Sequence, residues 1–119
     1  MTSKQTNLLH RFPLVNFLRE LKPVEARILI AVIAQGVSLG VKSGNMSISL
    51  AEKIIFNLDI LLFCKKELKD RAVKTIIERG MELEDIDSLV KDSAVMSRAC
   101  DDILKLCGKV VSDNGVRSS

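Results

Sequence analysis

Between Arg27 and Val41 the chain reads Ile-Leu-Ile-Ala-Val-Ile-Ala-Gln-Gly-Val-Ser-Leu-Gly, apolar almost all the way round a helix. A solvent-facing helix keeps a polar half, so this segment is expected to be the buried centre of a bundle. Pro23 suits a first helical turn, where its missing N–H costs nothing, and a helix is predicted from about Val24 to Lys42. Arg27, Ala31, Gln35, Ser38 and Lys42 recur at spacings of three and four, a small-or-polar stripe expected to be the exposed edge. The β-branched content of Ile28 to Ile33 also fits a buried strand. Continuation of the pattern to Lys42 favours the helix.

Other elements follow from punctuation. Pro13 interrupts the apolar run from Leu8 to Leu21, leaving residues 1–13 as a flexible or irregular segment and Leu14 to Leu21 as a short helix. Ser43-Gly44-Asn45 closes the central helix, with Gly44 or Asn45 suited to the left-handed conformation. Ser49-Leu50-Ala51-Glu52 has the capping-box pattern, in which a Ser hydroxyl and a Glu carboxylate satisfy reciprocal N–H groups. Asn57 or Asp59 can cap a helix carrying Ile60, Leu61, Cys64 and Leu68, and Asp70 one carrying Val73, Ile76 and Ile77, with Gly80 as its terminator. Leu83, Ile86, Leu89 and Val90 share a helical stripe. Asp92 or Ser93 caps the last helix, whose Met96, Ala99, Cys100, Ile103, Leu106, Cys107 and Val110 make a seam. The sum is an all-α fold, a single compact bundle of four to six helices in residues 14–111, with a flexible tail at 112–119.

Length and composition narrow the class. At 119 residues the chain fits one domain, and 47% hydrophobic residues are too many for intrinsic disorder. With no Trp or Tyr, the core is expected to be aliphatic. The formal charge is +3, and its excess is N-terminal. Lys65, Lys66, Lys69, Arg71 and Lys74 alternate with Glu67 and Asp70, so that no basic stripe or aromatic platform for nucleic acid emerges. Gly36, Gly40 and Gly44 precede no Gly-Lys-Ser or Gly-Lys-Thr, which excludes a phosphate-cradling loop. His10, Arg11 and Pro13 break up any signal-peptide core. The Ala26 to Val41 run falls short of the roughly 20 apolar residues of a bilayer span. Cys64, Cys100 and Cys107 form an odd set without a CxxC pair, which fits a reducing cytoplasm.

From about Val32 to Gly108 the order of signals resembles a family of short bacterial helical proteins of unknown function. The residues that carry it are Gly36-Val-Ser-Leu-Gly40, Ile48-Ser-Leu-Ala-Glu52 leading to Phe56-Asn57, and Glu82-Leu-Glu-Asp-Ile-Asp-Ser-Leu89 after Gly80. The resemblance implies a compact helical fold and no transferable activity. Asp59 to Lys69 departs from the pattern, where a different loop is expected, as does the extension before Pro23.

Candidate chemistry is sparse. His10 is the single histidine, so a metal site or a His-paired nucleophile would have to draw on it alone. Cys64 beside Lys65 and Lys66 would be a thiolate if exposed, but Leu61, Leu62 and Phe63 favour an inert core thiol. Glu82, Glu84, Asp85 and Asp87 could hold a hard cation, yet they lack a calcium-loop pattern and fit a solvated helix start or recognition of a basic partner. Gly36-x-x-x-Gly40 allows close helix approach, within the chain or at a subunit interface. No catalytic constellation, cofactor site or metal site emerges. The reading is a non-enzymatic cytoplasmic protein that binds another protein in antitoxin or immunity fashion, through Glu82, Glu84, Asp85 and Asp87. Its alternatives are a homo-oligomer, a possible homodimer at the minimum, burying the face of Gly36 and Gly40, and a thiol-based redox sensor or enzyme built on Cys64. Neither a nucleic acid nor a membrane is expected as partner.

Overall fold

The computed structural model describes residues 13–114, which are helical with no strand among them. Helix α1 spans Pro13–Arg19, α2 Pro23–Lys42, α3 Ile48–Ile54 and α4 Leu58–Leu62, which runs into a π-helical stretch at Phe63–Leu68. Helix α5 spans Arg71–Met81 and α6 Leu83–Asp85, continued by a second π-helical stretch at Ile86–Val90. The long α7, Ser93–Asn114, completes the all-α bundle. His10 and most of the tail lie outside the described residues.

Three helices make the core. Helix α2 packs most extensively on α7, and both pack on α5. Ala26, Ala31, Ala34 and Ser38 on α2 are fully buried, and such small side chains let the α7 backbone approach closely. The α7 seam is the expected one, with Cys100, Ile103, Cys107 and Val110 inside. Val73, Ile76 and Ile77 supply the α5 face.

Burial of α2 differs from the sequence-based expectation. Ala31 and Ser38, placed by their small-or-polar character on the exposed edge, are at 0% exposure, whereas Val24, Val32 and Leu39 are 46–54% exposed. Packing area decided the orientation: small residues face α7 because close helix contact demands them, and larger apolar side chains are left outside. The rod is therefore sheathed on one side only. It is 20 residues long with a mean hydropathy of 1.7 over its most apolar window, so it meets the length and composition of a membrane span, and a third of that window is buried within the chain.

Helix starts follow elementary capping. Pro23 opens α2, and the Glu25 carboxylate accepts the Lys22 N–H at 2.9 Å. Ser47, rather than Ser49, caps α3 by accepting the Leu50 N–H at 3.1 Å, so the expected capping box does not form. Asn57 closes α3 and opens α4 together, its amide donating to the Glu52 carbonyl at 2.8 Å while its oxygen accepts the Ile60 N–H at 3.0 Å. Asp70 accepts the Val73 N–H, and Asp92 the N–H groups of Ala94 and Val95. Gly44, at φ +78°, supplies the left-handed residue after α2.

Gly80 does not terminate α5, which runs on to Met81. Its missing side chain serves packing instead, because an added Cβ would fall within the Phe56 ring. Nor is Asp59 to Lys69 a loop: it holds α4 and the first π-helical stretch. Both π-helical stretches end alike. Lys69 and Lys91 adopt left-handed backbone at φ 52° and 53°, and the Asp that follows each one caps the next helix.

Ion pairs tie the periphery to the core. Arg27 Nε meets Asp70 Oδ2 at 2.6 Å, linking α2 to the α5 cap, and Lys42 meets Asp101 at 2.6 Å, linking α2 to α7. Arg19 grips Glu67 with two nitrogens at 2.9–3.1 Å, holding α1 against the first π-helical stretch.

Candidate functional site

The acidic residues lie on the connection between α5 and α7, whose course is set by one anchor. Leu83 is fully buried, so Glu82, Glu84 and Asp85 on either side of it face outward. Glu82 borders a shallow depression of about 540 Å³ with Leu61, Thr75 and Arg79, off to the α5 side. Glu84 instead lies beside Glu52 of α3. A hydrogen bond with Glu84 is the main cause that raises the Glu52 carboxyl above its ordinary range, followed by burial and charge repulsion. The structure thus divides the quartet and adds Glu52 to it, a residue that sequence reasoning assigned to a cap.

The stripe expected to bury Leu83, Ile86, Leu89 and Val90 is only half realised. Ile86 is half-buried, and Leu89 and Val90 are exposed at 79% and 50%. The cause is local: π-helical hydrogen bonding widens the turn beyond 3.6 residues, rotating Leu89 and Val90 out of the seam. Two large apolar side chains therefore stand in water next to Asp85, Asp87 and Glu84. No sequence signal marks this turn except the Lys91-Asp92 pair that repeats Lys69-Asp70.

Chemistry requiring a thiolate finds no support at Cys64. The side chain is fully buried, and its thiol is pushed up to about 12 by burial and then by the charge of Asp70. Cys107 is likewise pushed up to about 12 by burial, and Cys100 is raised by burial and Asp101. At neutral pH these are core hydrophobes with weak S–H donors. Among the described residues no group of three or more His, Cys, Asp or Glu is placed to hold a metal ion.

The two glycines of the Gly-x-x-x-Gly spacing play different parts. Gly40 is half-buried, and a Cβ there would sit 3.2 Å from Met46 Cβ, so it serves the turn between α2 and α3. Gly36 faces open space, with nothing within 4 Å of an added Cβ. Elsewhere, α1, α2, α3 and α4 enclose an open groove of about 880 Å³. Leu14, Val15, Ile33, Ile54 and Phe63 form its apolar lining, with Lys53, Lys66 and the Arg19–Glu67 pair also on its walls.

A small helical bundle with a three-helix core, outward carboxylates and no gathered catalytic groups among the described residues is the class that fold and site define. Residues 21–117 match the family model described as "Protein of unknown function (DUF3969)", and the chain belongs to that family. The match runs through Asp59 to Lys69 and begins after α1. Neither the curated proteins nor the solved structures contain a match to this chain.

Proposed function

We propose that the protein acts by binding another protein, in the manner of an antitoxin or immunity protein, through the connection between α5 and α7. The observation that carries this reading is the exposure of Leu89 and Val90 on a π-helical turn bordered by Glu84, Asp85 and Asp87. An apolar anchor preceded along the chain by three carboxylates suits a partner with a shallow apolar pocket and a basic edge. Burial of the anchor supplies affinity, and the carboxylates supply orientation and association rate. π-helical turns also recur at functional positions, where a locally widened helix aims side chains outward.

The test is affinity capture from native lysate with three baits, the wild-type chain, Leu89→Asp and Glu84→Lys, read by quantitative mass spectrometry. A protein enriched by the wild type and lost from both variants is the expected result, with recovery falling as salt rises, since the charges involved are exposed. Equal recovery on all three baits would refute the assignment of this surface.

A further inference from the structure

We infer that the uncovered face of α2 is the interface of a weak homodimer, with a second copy of this chain packed antiparallel across it. Val24, Ile28, Val32 and Gly36 follow one another at spacings of four, and Leu39 flanks them, so they form a single ridge. Val24, Val32 and Leu39 are about half exposed, and Gly36 opens onto empty space.

Self-complementarity selects a second copy as the occupant. In an antiparallel pair with its two-fold axis between Val32 and Gly36, the Val32 side chain of each copy fits over the bare backbone at Gly36 of the other. Ile28 then meets Leu39 of the second copy. The same register sets Glu25, the acid in the first turn of α2, towards Lys42 of the second copy, whose ammonium is held by Asp101 of its own chain at 2.6 Å and would be shared between the two carboxylates. Opposed helix dipoles add to that match, and a two-fold contact repeats every interaction twice.

Area sets the strength. A 20-residue helix is about 30 Å long, and one helix-on-helix contact of that length buries less than the roughly 1,200 Å² at the lower bound of stable standard interfaces. Such a contact belongs with weak, transient associations, and half-association is expected on the order of 100 µM chain.

Sedimentation velocity of the full chain from about 10 µM to about 1 mM tests this, together with Gly36→Leu and Val32→Glu. The wild type is expected to shift from monomer to dimer. Gly36→Leu fills the space that Val32 of the second copy needs while clashing with nothing in its own chain, so its dissociation constant is expected to rise at least tenfold. Its melting temperature as a monomer is expected to hold or rise, because Leu is the better helix former. Val32→Glu, at an exposed position, is expected to abolish the dimer with its circular dichroism unchanged. A wild type that stays monomeric at 1 mM overturns the inference, as does a Gly36→Leu chain that associates like the wild type. Monomeric wild type that pellets with phosphatidylcholine vesicles overturns it too, and gives the ridge to a lipid surface.

Discussion

At the scale of single residues, caps and carboxyl pairs make sharp predictions. Two serines stand at the start of α3, and the hydrogen bond from the Leu50 N–H goes to Ser47 just before it, leaving Ser49 exposed in the first turn. Ser47→Ala is expected to cost about 1 kcal/mol in urea unfolding. Ser49→Ala is expected to change stability by less than about 0.5 kcal/mol, and equal costs would reject the assignment of the cap. Ser49 invited the wrong choice because Glu52 stands three residues on, while the residue three on from Ser47 is Leu50. Glu52 has a different use beside Glu84. Its carboxyl is raised in the fold, so this pair contributes most to stability below the ordinary carboxylate range, and that contribution is lost as pH rises through the raised value. Glu52→Gln is expected to raise the melting temperature at pH 7 and to give a smaller gain at pH 4. A gain that does not shrink towards acid pH would remove the pairing as its cause.

Whole elements obey the periodicity of apolar residues wherever regular α-helix persists, and depart from it where the helix changes type or where two helices must approach. Helix α7 was legible because Cys100, Ile103, Cys107 and Val110 recur with a helical period, and the bundle buries that seam. Helix α2 was legible as an element and misread as to its faces: hydropathy orders side chains by their wish to leave water, whereas the α2–α7 contact selects by size, which brings Ala31 and Ser38 inside. The turn after α6 shows the other limit, since no apolar count registers a π-helical stretch that moves Leu89 and Val90 into solvent. The exposed anchor of the candidate site was thus hidden from the sequence, while its carboxylates were visible. Gly80 teaches the same lesson about contact. It looked like a helix terminator, but α5 needs it to lie against Phe56. Gly80→Ala is expected to destabilise the protein by about 3 kcal/mol despite the better helix propensity of Ala. Restoration of stability by Phe56→Leu in the same chain would confirm the cause, and a stable Gly80→Ala single variant would contradict it.

On the scale of the whole molecule, the family match starts at residue 21, so it takes in α2, α5 and α7 and leaves α1 outside it. Apolar contacts and an ion pair hold α1 in place: Leu18, 1% exposed in the core, with Leu14 and Val15 packed against that core, and the two-nitrogen grip of Arg19 on Glu67. The Arg19 hydrogen bond holds the Glu67 carboxyl below its ordinary range and raises the guanidinium in turn. A depressed carboxyl stabilises the fold above its unfolded value, and the contribution disappears as pH falls through the lowered one. Acid should therefore loosen α1 before it unfolds the core, because α2, α5 and α7 keep an extensive apolar seam when the carboxylates paired with Arg27 and Lys42 are protonated, whereas α1 has a smaller apolar contact to fall back on. Hydrogen exchange read by mass spectrometry is expected to show peptides of α1 losing protection between pH 7 and pH 3, after correction for intrinsic rates, while those of α7 keep theirs. Glu67→Gln should reproduce the loss at pH 7, where the wild type is protected. Because Leu14, Val15 and Arg19 line the 880 Å³ groove, the same variant should also open that groove, and added 1-anilinonaphthalene-8-sulfonate should fluoresce more strongly with it than with the wild type. Unchanged α1 exchange in Glu67→Gln would assign the docking of α1 to its apolar contacts, and Leu18→Ala, which removes the most buried of them, would then be the variant that detaches it.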